Sequence, residues 1–265
     1  MSVKIDRIKE ELKQASNDAL EEVISRYASD ERSGVQKLIA QARKKKELYL
    51  AECERVQAML AYERTYSEYQ VVCGIDEVGR GPLAGPVVAA AVVLPKDCQI
   101  LYLNDSKQLS EKKREELFPE ILEKAVAYGV GCVDHCTIDR INILQATFQA
   151  MREALKSMAM KCGAPDVLLN DAVTIPGVNE LFPEKNGSIL QVPIIKGDAK
   201  SLSIAAASVV AKVTRDHMMI ELDRLYPGYG FAGNKGYGSA EHMEKLRKDG
   251  PCPIHRASFI KGILG

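Results

Sequence analysis

Asp76 and Glu77 stand side by side at the end of the apolar run Val71-Val72-Cys73-Gly74-Ile75, and the glycine-punctuated stretch from Val78 to Pro86 follows at once. A run of that length reads as a buried strand, and two adjacent carboxylates where it emerges incur desolvation and mutual repulsion. A cation placed there offsets both. Two further apolar runs deliver carboxylates in the same way: Val167-Leu168-Leu169-Asn170 ends in Asp171, and Leu190 to Ile195 leads into Lys196-Gly197-Asp198. Hard divalent cations such as Mg²⁺ are held by a few carboxylates together with water and a phosphate-bearing substrate, so the four acids point to phosphate chemistry. Asp and Glu are also ordinary loop and capping residues, and any one position alone carries that plainer explanation. Four acids at three strand ends beside a glycine loop do not.

Five blocks in order carry a family resemblance. They are Gly74-Ile75-Asp76-Glu77-Val78-Gly79-Arg80-Gly81-Pro82-Leu83-Ala84-Gly85-Pro86-Val87, Asp105-Ser106-Lys107-Gln108-Leu109, the stretch from Ile195 through Ser203-Ile204-Ala205-Ala206-Ala207-Ser208 to Asp216, Asn234-Lys235-Gly236-Tyr237-Gly238, and Cys252-Pro253-Ile254-His255-Arg256-Ala257-Ser258-Phe259. Together they resemble ribonuclease HII over residues 71 to 262. Arg80 between two glycines resembles that type rather than its type HIII relative.

The resemblance implies a ribonuclease H-like α/β fold, a mixed sheet flanked by helices, in which Asp76, Glu77, Asp171 and Asp198 hold two Mg²⁺ or Mn²⁺ ions. It implies hydrolysis of the RNA strand of RNA–DNA hybrids. It also implies incision on the 5′ side of a single ribonucleotide in duplex DNA, leaving 3′-hydroxyl and 5′-phosphate ends. Gly79, Arg80, Gly81 and Tyr237 would sense the ribonucleotide, whose 2′-hydroxyl is what separates ribose from deoxyribose. Lys107 and Lys196 are candidates for backbone phosphate contacts or plain solvated lysines, and His255 with Arg256 matches the last block in a structural role. Two other readings stand beside this one: a DNA-directed nuclease of the same fold, and a hybrid-binding protein without cleavage, against which the four intact acids speak. A dinucleotide-binding reading of Gly79-x-Gly81-x-x-x-Gly85 fails, because the spacing is one residue too long, Pro82 occupies the turn and no helical pattern follows.

These residues need elements to position them. The chain has 265 residues, 46% hydrophobic and 27% charged, which suffices for a large core in one large domain or two smaller ones. Lys plus Arg and Asp plus Glu are 36 each, so charge gives no basic footprint for a nucleic acid. The charged N-terminus lacks the apolar core of a secretion signal; a cytoplasmic monomer without membrane contact is expected. The seven cysteines contain no CxxC pair and read as reduced, buried thiols. The rival is a zinc site from Cys132, His135 and Cys136 with Cys252 and His255, whose spacing fits no standard module.

The first 70 residues hold one of nineteen glycines and none of eleven prolines. A helical extension over 1–68 is expected, with stripes Ile5, Ile8, Leu12 and Leu20, Val23, Ile24, Tyr27, a capping box at Ser33 and Gln36, and apolar positions resuming at Tyr49, Cys53, Val56 and Leu60. Lys44-Lys45-Lys46 reads first as a solvated face and second as a phosphate contact. A catalytic domain with a C-terminal helical region follows over 69–265. Its expected strands lie at 87–93, 128–133, near 166–170 and near 190–195, in addition to the first run. Its expected helices begin at caps Ser110 and Thr137, the second with a core face of Leu144, Phe148, Met151, Leu155 and Met158. An alanine-rich helix over about 201–225 packs closely on the sheet.

Overall fold

The computed structural model describes residues 3–17 and 19–264, and the chain forms two compact units, Met1–Ala58 and Met59–Gly265. The first unit holds α1 (Ile5–Gln14), α2 (Leu20–Tyr27) and most of α3 (Ser33–Met59). Its core is Ile8, Leu12, Leu20, Ile24, Val35, Ile39 and Ala42, the 3.6-residue stripes of three helices turned toward one another. Ile5, at the edge of the first stripe, is exposed. Ser33 is the first helical residue rather than a cap, and the Gln36 amide donates to the Asp30 carbonyl at 2.6 Å. Lys44 and Lys45 are exposed and Lys46 pairs with Glu21 at 2.8 Å.

In the second unit α4 (Ala61–Thr65) precedes β1 (Val72–Val78) and β2 (Val87–Val93). Then come α5 (Glu111–Lys124), β3 (Ala127–Val133), α6 (His135–Ile141), α7 (Ile143–Cys162), β4 (Val167–Asp171), β5 (Leu190–Ile194) and α8 (Leu202–Leu225). Three helices close the chain: α9 (Phe231–Asn234), α10 (Ala240–Asp249) and α11 (Ala257–Leu264). The sheet order is β3-β2-β1-β4-β5; β1, β2 and β3 pair antiparallel, and β1, β4 and β5 pair parallel. β2 is buried along its whole length, as expected of an inner strand covered on both faces.

α7 and α8 both pack against β1 and β2. Glycine permits the closest approaches: a Cβ on Gly74 would lie 2.2 Å from the Ser203 backbone carbon, and one on Gly131 would lie 2.0 Å from the Ala150 carbonyl oxygen. Asp134, not Thr137, caps α6, its carboxylate accepting the Thr137 N–H at 2.7 Å. Asn142 at φ 66 then breaks the path and caps α7 through Gln145 N–H. Along α7, Phe148, Met151, Leu155 and Met158 are buried, while Leu144 in the first turn is exposed. The cysteines also depart from expectation: Cys73 and Cys98 are buried, but Cys132 and Cys136 are exposed. No helix among the described residues is long and apolar enough to cross a membrane.

Candidate active site

Parallel pairing of β1 with β4 puts Ile75 opposite Asn170, so the residues that follow, Asp76 and Asp171, come to the carboxyl end of this pair, Asp76 and Glu77 still inside β1 and paired with Ala90 and Ala89 of β2. Ligands in open α/β sheets gather at such carboxyl ends. β5 ends one step further out, with Ile194 opposite Asp171, and the chain turns through left-handed Lys196 (φ 58) into the short 3₁₀ turn Gly197–Ala199 that carries Asp198. The Gly197 N–H donates to Asp171 Oδ1 at 2.8 Å, tying the two acidic segments together.

The four acids feel one another. Burial, then Glu77 and Asp171, pushes the Asp76 carboxyl well above its ordinary range, while Ser208 partly offsets this by hydrogen bonding. Burial also raises Glu77 despite its ion pair with Arg80 at 3.2 Å. Asp198 is pushed up to about 6 by burial and by the carboxylates of Asp105 and Asp171. Burial alone would lower Lys107, yet Asp105, Asp76, Asp198 and Asp171 raise it, which places its ammonium in their field. Lys196 is exposed, and its carbonyl accepts the Ala199 N–H; the structure gives it a backbone role in the turn.

As a donor set, these all-oxygen carboxylates, with Asp76, Glu77 and Asp198 raised, fit a hard divalent cation, which would neutralise their repulsion. Among the described residues no three side chains already form a closed metal cage; Glu77 is engaged with Arg80, Asp171 with Gly197 N–H and Asp76 with Ser208. The zinc alternative is not assembled either: Cys136 Sγ meets His135 Nε2 at 3.2 Å, and Cys252 meets a different imidazole, His255, at 3.2 Å.

The acids predict a pH dependence of stability. A folded pKa of about 6 against an ordinary 3.8 for Asp198 means that the folded chain binds the proton more tightly than the unfolded one. That stability is present below the ordinary value and is lost as pH rises through about 6. His255, held down to about 4, gives both proteins the opposite slope over this range, so in chelator the wild-type Tm is expected to fall relative to that of Asp198→Asn between pH 4 and pH 6.5, and Mg²⁺ should recover part of that difference at the higher pH. Equal slopes in the two proteins, measured by differential scanning calorimetry, would remove Asp198 from the coupled set.

Gly79 adopts φ 88, and a Cβ there would strike the Arg215 side chain at 2.2 Å. Arg215 and Arg256 are both fully buried. Arg256 donates to the carbonyls of Gly79 (2.6 Å), Arg80 (3.0 Å), Gly85 (3.0 and 2.9 Å) and Pro86 (3.2 Å). Arg215 donates to those of Pro86 (2.8 Å), Lys235 (2.9 Å) and Ala84 (3.3 Å). Two guanidinium groups thus hold the glycine loop from beneath by its carbonyls, a use that suits their rigid fan of donors. At the front of the loop, a Cβ on Gly81 would lie 3.6 Å from Cε1 of Tyr237, whose ring is half exposed.

Other supports carried little sequence signal. Ser106 and Ser208 share a hydrogen bond at 2.8 Å, linking the Asp105-Ser106-Lys107 loop to the helix that touches Asp76. Glu63 on α4 accepts from Ser201 Oγ (2.7 Å), Ser203 N–H (2.9 Å) and Ser203 Oγ (2.7 Å) through one oxygen. It places a negative charge on the N-terminus of α8, next to the turn that carries Asp198. Glu63→Ala is expected to destabilise the chain by roughly 1.5–3 kcal/mol, the range for charged hydrogen bonds. Truncation through residue 68, which removes Glu63, should then cost more stability than truncation through 58; equal urea midpoints would show that the carboxylate contributes nothing.

The family model for ribonuclease HII matches residues 73–262 and that for the ribonuclease HII N-terminal domain matches residues 4–67. A ribonuclease HII of Lachnoclostridium phytofermentans is 56% identical over 263 residues, 99% of each chain. The crystal structure of ribonuclease H2 from Pyrococcus horikoshii superposes with a TM-score of 0.59 at 28% identity, covering 74% of this chain and 97% of that one. Ribonuclease HII from Archaeoglobus fulgidus, solved in complex with PCNA, shares the fold at 24% identity, covering 73% of this chain and 97% of that one, with a TM-score of 0.56. The chain belongs to the ribonuclease HII family.

Proposed function

We propose that the chain is an endonuclease that hydrolyses the RNA strand of RNA–DNA hybrids and incises duplex DNA on the 5′ side of a lone ribonucleotide, leaving 3′-hydroxyl and 5′-phosphate ends. The observation that carries this is the meeting of Gly81 and Tyr237 in front of the strand that bears Asp76 and Glu77. A nucleotide whose sugar lies against the exposed face of the Tyr237 ring, beside Gly81, would bring its phosphate to the acids. Among the described residues the N–H groups of Arg80 and Gly81 donate to no backbone acceptor, so they are available to a sugar hydroxyl. The absence of a side chain at Gly81 lets the backbone come close to it.

Asp76, Glu77, Asp171 and Asp198 would hold two Mg²⁺ or Mn²⁺ ions, whose chemistry when bound is activation of water and stabilisation of the departing oxygen. The chain's own residues do the rest. Lys107 stands among the acids as a cation for a phosphate oxygen, and the Arg215–Arg256 pair adds positive charge behind the loop. Ser208 and Gly197 N–H aim Asp76 and Asp171. The enzyme is proposed to act as a cytoplasmic monomer.

The test is cleavage of three duplexes, all-DNA, DNA with one ribonucleotide and RNA–DNA hybrid, with and without Mg²⁺. Metal-dependent incision of the second and third, with the first left intact, is expected. Cutting of the all-DNA duplex would favour a DNA-directed nuclease of the same fold, and binding without cutting a non-catalytic hybrid-binding protein.

A further inference from the structure

We infer that His242 and His255 are positioning residues for Tyr237, a two-imidazole relay that grips the tyrosine backbone and whose proton direction is fixed from both ends. The inference rests on the proposed role of Tyr237. Both imidazoles are buried against Tyr229 and Phe231, which stack on each other at 5.4 Å and whose rings meet the imidazoles at centroid distances of 5.0 to 6.1 Å. His242 Nδ1 lies 2.8 Å from the Tyr237 carbonyl oxygen, His242 Nε2 lies 2.9 Å from His255 Nε2, and His255 Nδ1 lies 3.0 Å from the Cys252 N–H nitrogen.

The two ends settle the protons. A carbonyl only accepts, so His242 Nδ1 carries hydrogen and donates to Tyr237. A neutral His242 then has a bare Nε2, so His255 must donate from its own Nε2. That leaves His255 Nδ1 bare, as the Cys252 N–H requires, since an amide N–H only donates. The Cys252 carbonyl, also 3.2 Å from that nitrogen, already accepts the His255 N–H at 3.1 Å. Reversing the chain would set two lone pairs against each other at Tyr237. Burial holds the His255 imidazole down to about 4, in keeping with a neutral relay.

The relay binds the two halves of the sugar-facing surface. The Tyr237 carbonyl also accepts the Ser239 N–H, and the Gly236 carbonyl accepts the Leu83 N–H. His255 bridges to Ala84 in an isolated antiparallel pair, and Arg256 beside it grips the glycine loop. His242 is therefore the member that transmits the placement of the loop to the tyrosine.

Side-chain geometry supplies the test, because an asparagine amide reaches the position of Nδ1 and a glutamine amide that of Nε2. With kcat/KM measured on DNA carrying one ribonucleotide and on continuous hybrid, His242→Gln and His242→Ala should lose about tenfold on the first and less on the second, the loss of one hydrogen bond. His242→Asn, which restores the donor to Tyr237, should recover most of it. Equal losses on both substrates for all three variants, in proportion to Tm, would mean a purely structural pair and overturn the inference. Tyr237→Ala run alongside separates the two ideas: no change in its substrate ratio removes the tyrosine reading and the relay with it, whereas a changed ratio with an unaffected His242→Gln removes the relay alone. Should the variants fail to fold, imidazole ¹⁵N shifts of the wild type decide: Nδ1–H for His242 and Nε2–H for His255 are expected, and the opposite tautomers would overturn it.

Discussion

Asp76→Asn is expected to reduce single-turnover cleavage by more than about a hundredfold, beyond the range seen when even an outer group supporting a metal ligand is lost. The same change should leave the chain as stable as the wild type, or more so, in the absence of divalent metal. Both expectations come from one circumstance. Asp76 is buried beside Glu77 and within reach of Asp171, and its carboxyl is raised for those reasons. The folded protein retains a repulsion that a neutral amide of the same shape relieves, while the amide can still accept the hydrogen bond from Ser208. Catalytic groups commonly stand in such strained electrostatic positions. Loss of activity with an unchanged or raised Tm in chelator would set Asp76 apart from a core residue, whose loss lowers both. The metal-induced rise in Tm should shrink in the variant as well. Undiminished turnover at saturating Mg²⁺ would take Asp76 out of the catalytic set.

Asp76, Glu77, Asp171 and Asp198 were legible in the sequence because each follows an apolar run, and strand ends are what apolar runs locate. Parallel pairing of β1 and β4 then does what no single run discloses, bringing Asp76 and Asp171 to the carboxyl end of this pair. β2 was equally legible, since a strand buried on both faces is written as an unbroken apolar run. What escaped was carried by single polar residues whose partners are remote in the chain. Glu63 lies in an unremarkable helical stretch, and its role exists only because Ser201 and Ser203 are brought to it over 138 and 140 residues. Asp105 belonged to a recognisable block, yet its influence on Asp198 depends on a fold that places two loops together. Arg215 lay within a resembling block without a role of its own and His242 lay in none; both are buried. Backbone conformation was the other loss. Asn142 at φ 66 ends one helix and starts the next, so Leu144 falls in the first turn of α7, where it is exposed.

Tyr237→Ala is expected to slow incision at a lone ribonucleotide by roughly tenfold to a hundredfold, the value of about 1–3 kcal/mol that an aromatic platform contributes to a nucleic acid. The ring is half exposed and stands 3.6 Å from where a Gly81 side chain would begin, so it is open to a sugar on one side and backed by the loop on the other. The loss should be smaller on a continuous RNA–DNA hybrid, where a misplaced nucleotide is replaced by the next register and many equivalent sites compete for the acids. Tyr237→Phe retains the ring and removes the hydroxyl, so near-normal incision by Phe assigns the effect to packing and a loss equal to that of Ala assigns it to the hydroxyl. Gly81→Ala offers the reciprocal measurement from the loop side. Its methyl group would stand at ordinary contact distance from the ring, which the fold tolerates, but would hold a sugar away from the Gly81 backbone. Tm should therefore stay near that of wild type while kcat/KM on the lone ribonucleotide falls. Measured below saturation, equal activity of Tyr237→Ala and wild type on that substrate would make the tyrosine a loop residue and leave discrimination to the backbone of Gly79, Arg80 and Gly81 alone.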